Sequence, residues 1–262
     1  MNHENNAADA GSSVDSVALS DSVALSVVIP VHNESANIAA LIDEVGVALQ
    51  GLIAFELIVV NDTSSDDTLE ILTSAAGVRP WLRVLHHRTN AGQSTAILNG
   101  IRAATADWIA TLDGDGQNDP ADIPALLEMR ALRPELGMIC GHRHKRRDTI
   151  VRRWSSRIAN GVRSNMLGDD TPDTGCGLKI FERSIFMAMP HFDHFHRFMP
   201  ALFRAQGAAI ASVPVNHRAR GGGVSHYGVW NRLWVGIVDM IGVMWLKRRA
   251  KVVVADEVSR DA

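Results

Sequence analysis

Short apolar runs rich in β-branched residues alternate with helix-period segments from Leu25 to about Arg143. This is the pattern of strands laid parallel with helices packed on both faces, because parallel neighbours need a crossover long enough to hold a helix. The fold class expected is α/β, with a Rossmann-like, mostly parallel mixed sheet. Leu25 to Pro30 is the first strand, and Asn33, Glu34 and Ser35 announce a helix carrying Ile38, Leu41, Ile42 and Val45. A second strand runs from Glu56 to Val60 and ends at Asn61-Asp62, after which Ser65 or Asp66 caps a helix with Leu69, Ile71 and Leu72. Leu82 to His86 is the third strand, and a helix with Ile97, Leu98 and Ile101 follows Asn90-Ala91-Gly92. The fourth, Trp108 to Leu112, delivers Asp113.

Beyond Pro120 the pattern gives a helix to about Arg133 and a strand from Gly137 to Gly141. Amphipathic segments follow near Val151 to Leu167 and His194 to Gln206, then a strand from Ile210 to His217 and a final helix from Tyr227. The organisation expected is a polar, disordered leader over 1–24, one catalytic domain over 25–226, an amphipathic helix over 227–250 and a polar tail over 251–262.

Composition excludes several classes. The 46% hydrophobic content supports a sizeable core, and a formal charge of -3 argues against a general nucleic-acid-binding surface. Cys140 and Cys176 are the only cysteines, without metal-ligand spacing, which indicates neither a disulfide framework nor a zinc site and suits a reducing cytoplasm. The leader lacks the basic-then-apolar order of a secretory signal. Val229 to Leu246, the most apolar stretch, is interrupted by Arg232 and Asp239, so no membrane-spanning segment is expected.

Asp62 and the pair Asp113/Asp115 fall at carboxyl ends of separate strands, where open α/β sheets bind ligands. Carboxylates so close repel one another. A divalent cation, Mg2+ or Mn2+, relieves that repulsion and offers open positions to phosphate oxygens. The tripeptide alone fits a solvated turn equally well; Gln117, Asn118 and Asp119 leading into Pro120 make an ordinary turn less apt.

VVIPVHNE from Val27, VVNDTSSDDT from Val59 and LDGDGQNDP from Leu112 together resemble the family 2 glycosyltransferases of the GT-A fold. Within that family the chain is similar to the polyprenyl-phosphate glycosyltransferases, over about Leu25 to Leu246. The resemblance implies a nucleotide-sugar donor, GDP- or UDP-linked, packed on Pro30, Val31, His32 and Glu34, with Asp62 at the base or ribose. It also implies that Asp113 and Asp115 hold the metal and sugar diphosphate and that Gln117 completes the metal environment. His32 replaces a common Tyr, and Asn61-Asp62 replaces an Asp-Asp pair.

Two phosphate-bearing substrates must approach one another, which calls for cations. His142 to Arg157 holds seven Arg and Lys against the single acid Asp148. Within it Arg152 and Ser156, four apart, share a helix face and can grip one phosphate. The resemblance assigns Arg143, Arg152 and Ser156 to the acceptor phosphate and places Asp173 to Gly177 beside the acceptor and sugar pocket. It gives Arg220 and Ser225, in a glycine-rich loop, the closing contact on the donor diphosphate, with His226 in place of a usual Lys. Cys176 reads as a small buried residue, and His191, His194 and His196 as surface or supporting groups, since their spacing does not share one helix face.

In the last helix Trp230, Leu233, Trp234, Ile237, Ile241, Met244 and Trp245 recur every three or four residues, followed by Lys247, Arg248, Arg249 and Lys251. A Trp-rich face beside a basic cluster suits the lipid headgroup region, and packing on the core or on a second subunit is the alternative. The reading is an inverting, metal-dependent hexosyltransferase that transfers sugar to a polyprenyl phosphate at the inner face of the cell membrane. Transfer to a sugar or protein hydroxyl, with an acid near Asp173 as base, and a non-catalytic nucleotide-sugar-binding or scaffold protein are the competing readings.

Overall fold

The computed structural model describes residues 23–143, 167–168, 171–218 and 229–249. Arg152, Ser156, Arg220, Ser225 and His226, with most of the leader, the basic run and the tail, lie outside the described residues. The elements are β1 (Leu25–Val31), α1 (Ile38–Leu49), β2 (Phe55–Asn61), α2 (Thr68–Ala76), β3 (Leu82–His86), α3 (Gly92–Ala103), β4 (Trp108–Thr111) and α4 (Ile123–Leu132). Then come β5 (Leu136–Arg143), β6 (Lys179–Glu182), α5 (Arg183–Ala188), α6 (Met199–Ala205), β7 (Ala209–Val215) and α7 (Val229–Arg249).

The seven strands are ordered β3-β2-β1-β4-β6-β5-β7. β6 alone runs antiparallel, to both β4 and β5, while the other pairings are parallel. β6 begins at the end of the sheet where β4 and β5 finish, Lys179 facing Thr111 and Cys140 in register, and then runs back. The residues that precede it are thereby delivered to the same end as Asp113. β1, β2 and β3 grow outward on one side and β4 lies on the other, so the strand order reverses between β1 and β4. A crevice opens at such a reversal beyond the carboxyl ends of the strands.

β1 is buried along its whole length, as a central parallel strand covered on both faces must be. Val27 and Ile29 face Ile38, Leu41, Ile42, Leu72, Ile123 and Leu126. Val28 faces the opposite layer of Ile97, Ile101, Phe181, Phe186, Phe203 and Val243. Helix α3 lies so close to the sheet that a Cβ at Gly100 would stand 2.4 Å from Val28 Cγ1. At the far end of the sheet from the crevice, buried Glu56 accepts from Ser26 Oγ at 2.7 Å, Thr105 N at 2.7 Å and Thr105 Oγ1 at 2.6 Å, and pairs with Arg83. Burial opposes its ionisation, yet the bonds from Thr105, Ser26 and Arg83 outweigh it and hold the carboxyl below its ordinary range.

Two expected elements change. His194 to Gln206 is not one segment: His194 takes a left-handed φ of 63°, a 3-10 turn covers Phe195–Arg197, and α6 starts at Met199. In the last helix the single apolar face is split. Met240, Val243 and Met244 pack inward on the second core layer, whereas Val238, Ile241 and Trp245 are exposed at 64%, 57% and 59%. Met244 is therefore separated from Ile241 and Trp245, because the helix is apolar over more than one side and the core takes only one. Among the described residues no helix is long and apolar enough to cross a membrane.

Candidate active site

The crevice between the ends of β1 and β4 is a cleft of about 420 Å³. Pro30, Val31, His32 and Glu34 line it from β1, Asp62 from β2, Asn90, Gly92, Gln93 and Ala96 from the start of α3, and Asp113, Gly114 and Asp115 from β4. Pro30, Val31, His32, Glu34, Asp62, Asp113 and Asp115, all assigned from sequence to the donor side, therefore meet in one cavity. Gln117 is not among the lining residues; its backbone N–H donates to Asp115 Oδ1 at 3.1 Å and its carbonyl accepts from Arg218 N at 3.0 Å.

Asp62 lines the cleft and is also held from within the protein. Its Oδ1 accepts from Ala91 N at 2.8 Å and lies 2.7 Å from His87 Nδ1, and its Oδ2 accepts from Gly92 N at 2.7 Å. A carboxylate offers about four acceptor positions, so most are already engaged in pinning the loop that enters α3. Although burial raises the carboxyl, those backbone and His87 bonds win and hold it below its usual range. The Asp62 carbonyl also accepts from Asn90 Nδ2 at 3.2 Å and from His32 Nδ1 at 2.7 Å. A carbonyl can only accept, so Nδ1 of His32 carries a proton and the ring is fixed edge-on to β2.

The acidic turn is built around glycines. A Cβ at Gly114 would stand 2.6 Å from Val31 Cγ1 and 2.9 Å from Pro30 O, and Gly116 has φ of 71°. Asp113 Oδ1 accepts from Gln93 Nε2 at 2.8 Å. On its other side Asp113 meets Gly177, where a Cβ would lie 2.3 Å from Oδ2. Removal from water pushes the Asp113 carboxyl up; the cation of Lys179 opposes this, the charge of Asp115 adds to it, and Gln93 and Arg143 also oppose it, leaving the group above its ordinary range.

Lys179 itself is 4% exposed and donates to the Cys176 carbonyl. Buried Cys176 has its thiol pushed up by burial, in keeping with a packing role. Arg143, expected to face an acceptor phosphate, makes a two-pronged pair with Asp173: Nε to Oδ2 at 2.6 Å and Nη2 to Oδ1 at 2.7 Å. Asp173 thus orients Arg143, and the guanidinium, half-buried, keeps its remaining donors.

Arg218 closes the far side. It pairs with Asp119 at 2.6 Å and Glu44 at 2.7 Å, and Asn216 bonds to Asp122 at 2.7 Å and 2.9 Å. The chain leaving β7 toward the glycine-rich loop is therefore stitched to the turn that follows Asp115. Beneath α3, His196 Nδ1 lies 2.8 Å from Ser94 Oγ, and burial lowers its pKa to about 3, so the ring is neutral.

Asn90, Gln93, Lys179, Arg218 and His196 were not singled out for this site by sequence. A lysine opening the short strand Lys179–Glu182, ahead of Ile180 and Phe181, is the one signal that could have marked a buried cation. Among the described residues no cluster of three or more His, Cys, Asp or Glu forms a closed metal cage. Two carboxylates, one raised by burial and its neighbour's charge, fit a divalent ion that completes its shell with substrate phosphates.

The reversed strand order and the paired acids at its crevice define a GT-A type glycosyltransferase architecture. The sequence model of glycosyl transferase family 2 matches residues 26–189, and the chain belongs to that family. It is 36% identical over 232 residues to a dodecaprenyl-phosphate galacturonate synthase of Rhizobium johnstonii, covering 87% of this chain and 68% of that protein. It is 35% identical over 208 residues to an undecaprenyl-phosphate 4-deoxy-4-formamido-L-arabinose transferase of Edwardsiella ictaluri, covering 78% of this chain but 63% of the relative. Among solved structures it is similar in fold to glucosyl-3-phosphoglycerate synthase of Mycobacterium tuberculosis with Mn2+, UDP and phosphoglyceric acid, at a TM-score of 0.64 and 20% identity over 87% of this chain and 80% of that one.

Proposed function

We propose that this chain is an inverting glycosyltransferase that moves a sugar from a GDP- or UDP-sugar to a polyprenyl phosphate. The observation that carries the proposal is the convergence of Asp113 and Asp115 with the β1, β2 and α3 residues in one cleft at the strand reversal. The names of its relatives, both synthases or transferases on polyprenyl phosphates, support the acceptor. Pro30, Val31, His32 and Glu34 receive the nucleoside, against the fixed face of His32, while Asp62 shapes that wall. Asp113 and Asp115 hold Mg2+ or Mn2+, with Gln117 behind them, and the ion supplies charge neutralisation for the departing diphosphate. Arg220 and Ser225 contact that diphosphate from the loop whose stem Arg218 anchors.

Arg143, Arg152 and Ser156 place the acceptor phosphate. A phosphate monoester, with a second pKa of about 6, is already ionised near neutrality and attacks the anomeric carbon in line without a strong base. The competing hydroxyl acceptor would require a base near Asp173, and both Asp173 oxygens are taken by Arg143. We place the protein peripherally on the inner face of the cell membrane, through the outward row Val238, Ile241 and Trp245 of α7 and exposed Arg248 and Arg249. The test is transfer from a panel of nucleotide-sugars to short polyprenyl phosphates with Mg2+ or Mn2+. An acid-labile glycosyl phosphate is expected, and an unimpaired Asp115→Ala protein would overturn the assignment.

A further inference from the structure

Gln93 occupies the first turn of α3, exposed in the wall of the cleft. Its amide is oriented by the contact with Asp113: Nε2 donates to Oδ1 at 2.8 Å. The other end, Oε1, is then turned away from Asp113, and no hydrogen-bond partner for it is found among the described residues. The loop that carries Gln93 is immobilised from below, with Ala91 N and Gly92 N bound to Asp62. Ser94, the next residue, is tied to His196 at 2.8 Å. An acceptor is thus presented on a rigid support beside the acid expected to hold the sugar diphosphate. A hydroxyl is the natural complement to a lone amide oxygen, and the sugar is the hydroxyl-rich part of the donor next to the diphosphate.

We propose that Gln93 is a specificity-determining residue of the donor site, fixing Asp113 with its amide N–H and accepting a hydrogen bond from a sugar hydroxyl with Oε1. This rests on the glycosyl-transfer reading above. The two roles separate experimentally, because a nucleoside diphosphate engages the metal and acids but has no transferred sugar. Calorimetric titration with Mn2+ would compare UDP with UDP-glucose and GDP with GDP-mannose on the wild-type full chain, Gln93→Leu and Gln93→Glu.

Loss of support for Asp113 weakens both members of a pair alike. Loss of the sugar contact weakens the nucleotide-sugar further, so the ratio of its Kd to that of the nucleoside diphosphate should rise about five- to tenfold in Gln93→Leu, the range of one neutral hydrogen bond. Gln93→Glu retains an acceptor oxygen and should keep the ratio near the wild-type value while binding both ligands less tightly, since it sets a second negative charge against Asp113. An unchanged ratio in Gln93→Leu, with the wild type binding normally, overturns this inference alone. A wild-type protein that binds neither pair overturns the glycosyl-transfer reading and this inference with it.

Discussion

Placing a methyl group at Gly177 tests how rigidly the acidic turn is held. The Cβ of Gly177→Ala would stand 2.3 Å from Asp113 Oδ2, 2.5 Å from its Cγ and 2.6 Å from Asn118 Oδ1. Ordinary contacts begin near 3.4 Å, so the carboxylate or the backbone must move by about 1 Å. The backbone has little freedom to yield, since the Gly177 carbonyl accepts from Thr111 Oγ1 at 2.9 Å and the next residues enter β6. Movement therefore falls on Asp113, whose Oδ1 is tethered to Gln93. A 1 Å misplacement at a reacting centre costs about 100-fold in rate, and overpacking a close contact costs about 1–3 kcal/mol of stability.

The assay is sugar transfer to a short polyprenyl phosphate with Mn2+, alongside Mn2+ affinity and urea unfolding. Gly77→Ala is the control, because its Cβ would find nothing nearer than 3.5 Å. A Gly177→Ala protein that is folded, binds Mn2+ as the wild type does and transfers sugar at an undiminished rate would refute the claim that Gly177 contact positions Asp113.

Three further outcomes follow from the same geometry. Lys179→Met removes the buried cation that opposes the upward push on Asp113, so the proton competes better with Mn2+, whose affinity should fall more steeply with decreasing pH than in the wild type; the same pH dependence in both proteins on titration would contradict this. Neutral His196 has its pKa lowered to about 3, so the folded state binds fewer protons than the unfolded chain below the ordinary value of 6.5. Its contribution is complete above pH 6.5 and is lost as pH falls toward 3, by about 1 kcal/mol between pH 7 and 5.5, a slope that urea unfolding should find missing in His196→Phe. Replacing Trp245 by Asp on the outward row of α7 should reduce sedimentation with anionic vesicles several-fold while leaving the melting temperature within about 2 °C, since Trp245 is 59% exposed.

Much of the donor side was legible without coordinates. Strand ends are marked by local chemistry: an apolar run stops where Asp62 or Asp113 begins, and alternation with helices sets which ends share an edge. Asp62 and the acidic turn were therefore placed together from strand order, and the β1 loop joined them through the family resemblance. What those side chains touch was not legible. Asp62 was expected at the base or ribose, and its bonds to Ala91 N, Gly92 N and His87 could not be foreseen, because the β3–α3 loop returns over β2 from 29 residues further along. Nor did the sequence show that Arg143 and Asp173 hold each other across 30 residues.

The sequence by itself determined the α/β class, the strand ends that carry acids and the family, since these depend on periodicity and on short contiguous motifs. Only the tertiary structure decided that β6 runs back between β4 and β5, which sets Gly177 and Lys179 against Asp113. It also decided that Gln93 joins the acids and that α7 turns Val243 inward and Trp245 outward. The physical reason is range: periodicity and capping act over a few residues, whereas burial and electrostatic pairing depend on which distant strands become neighbours.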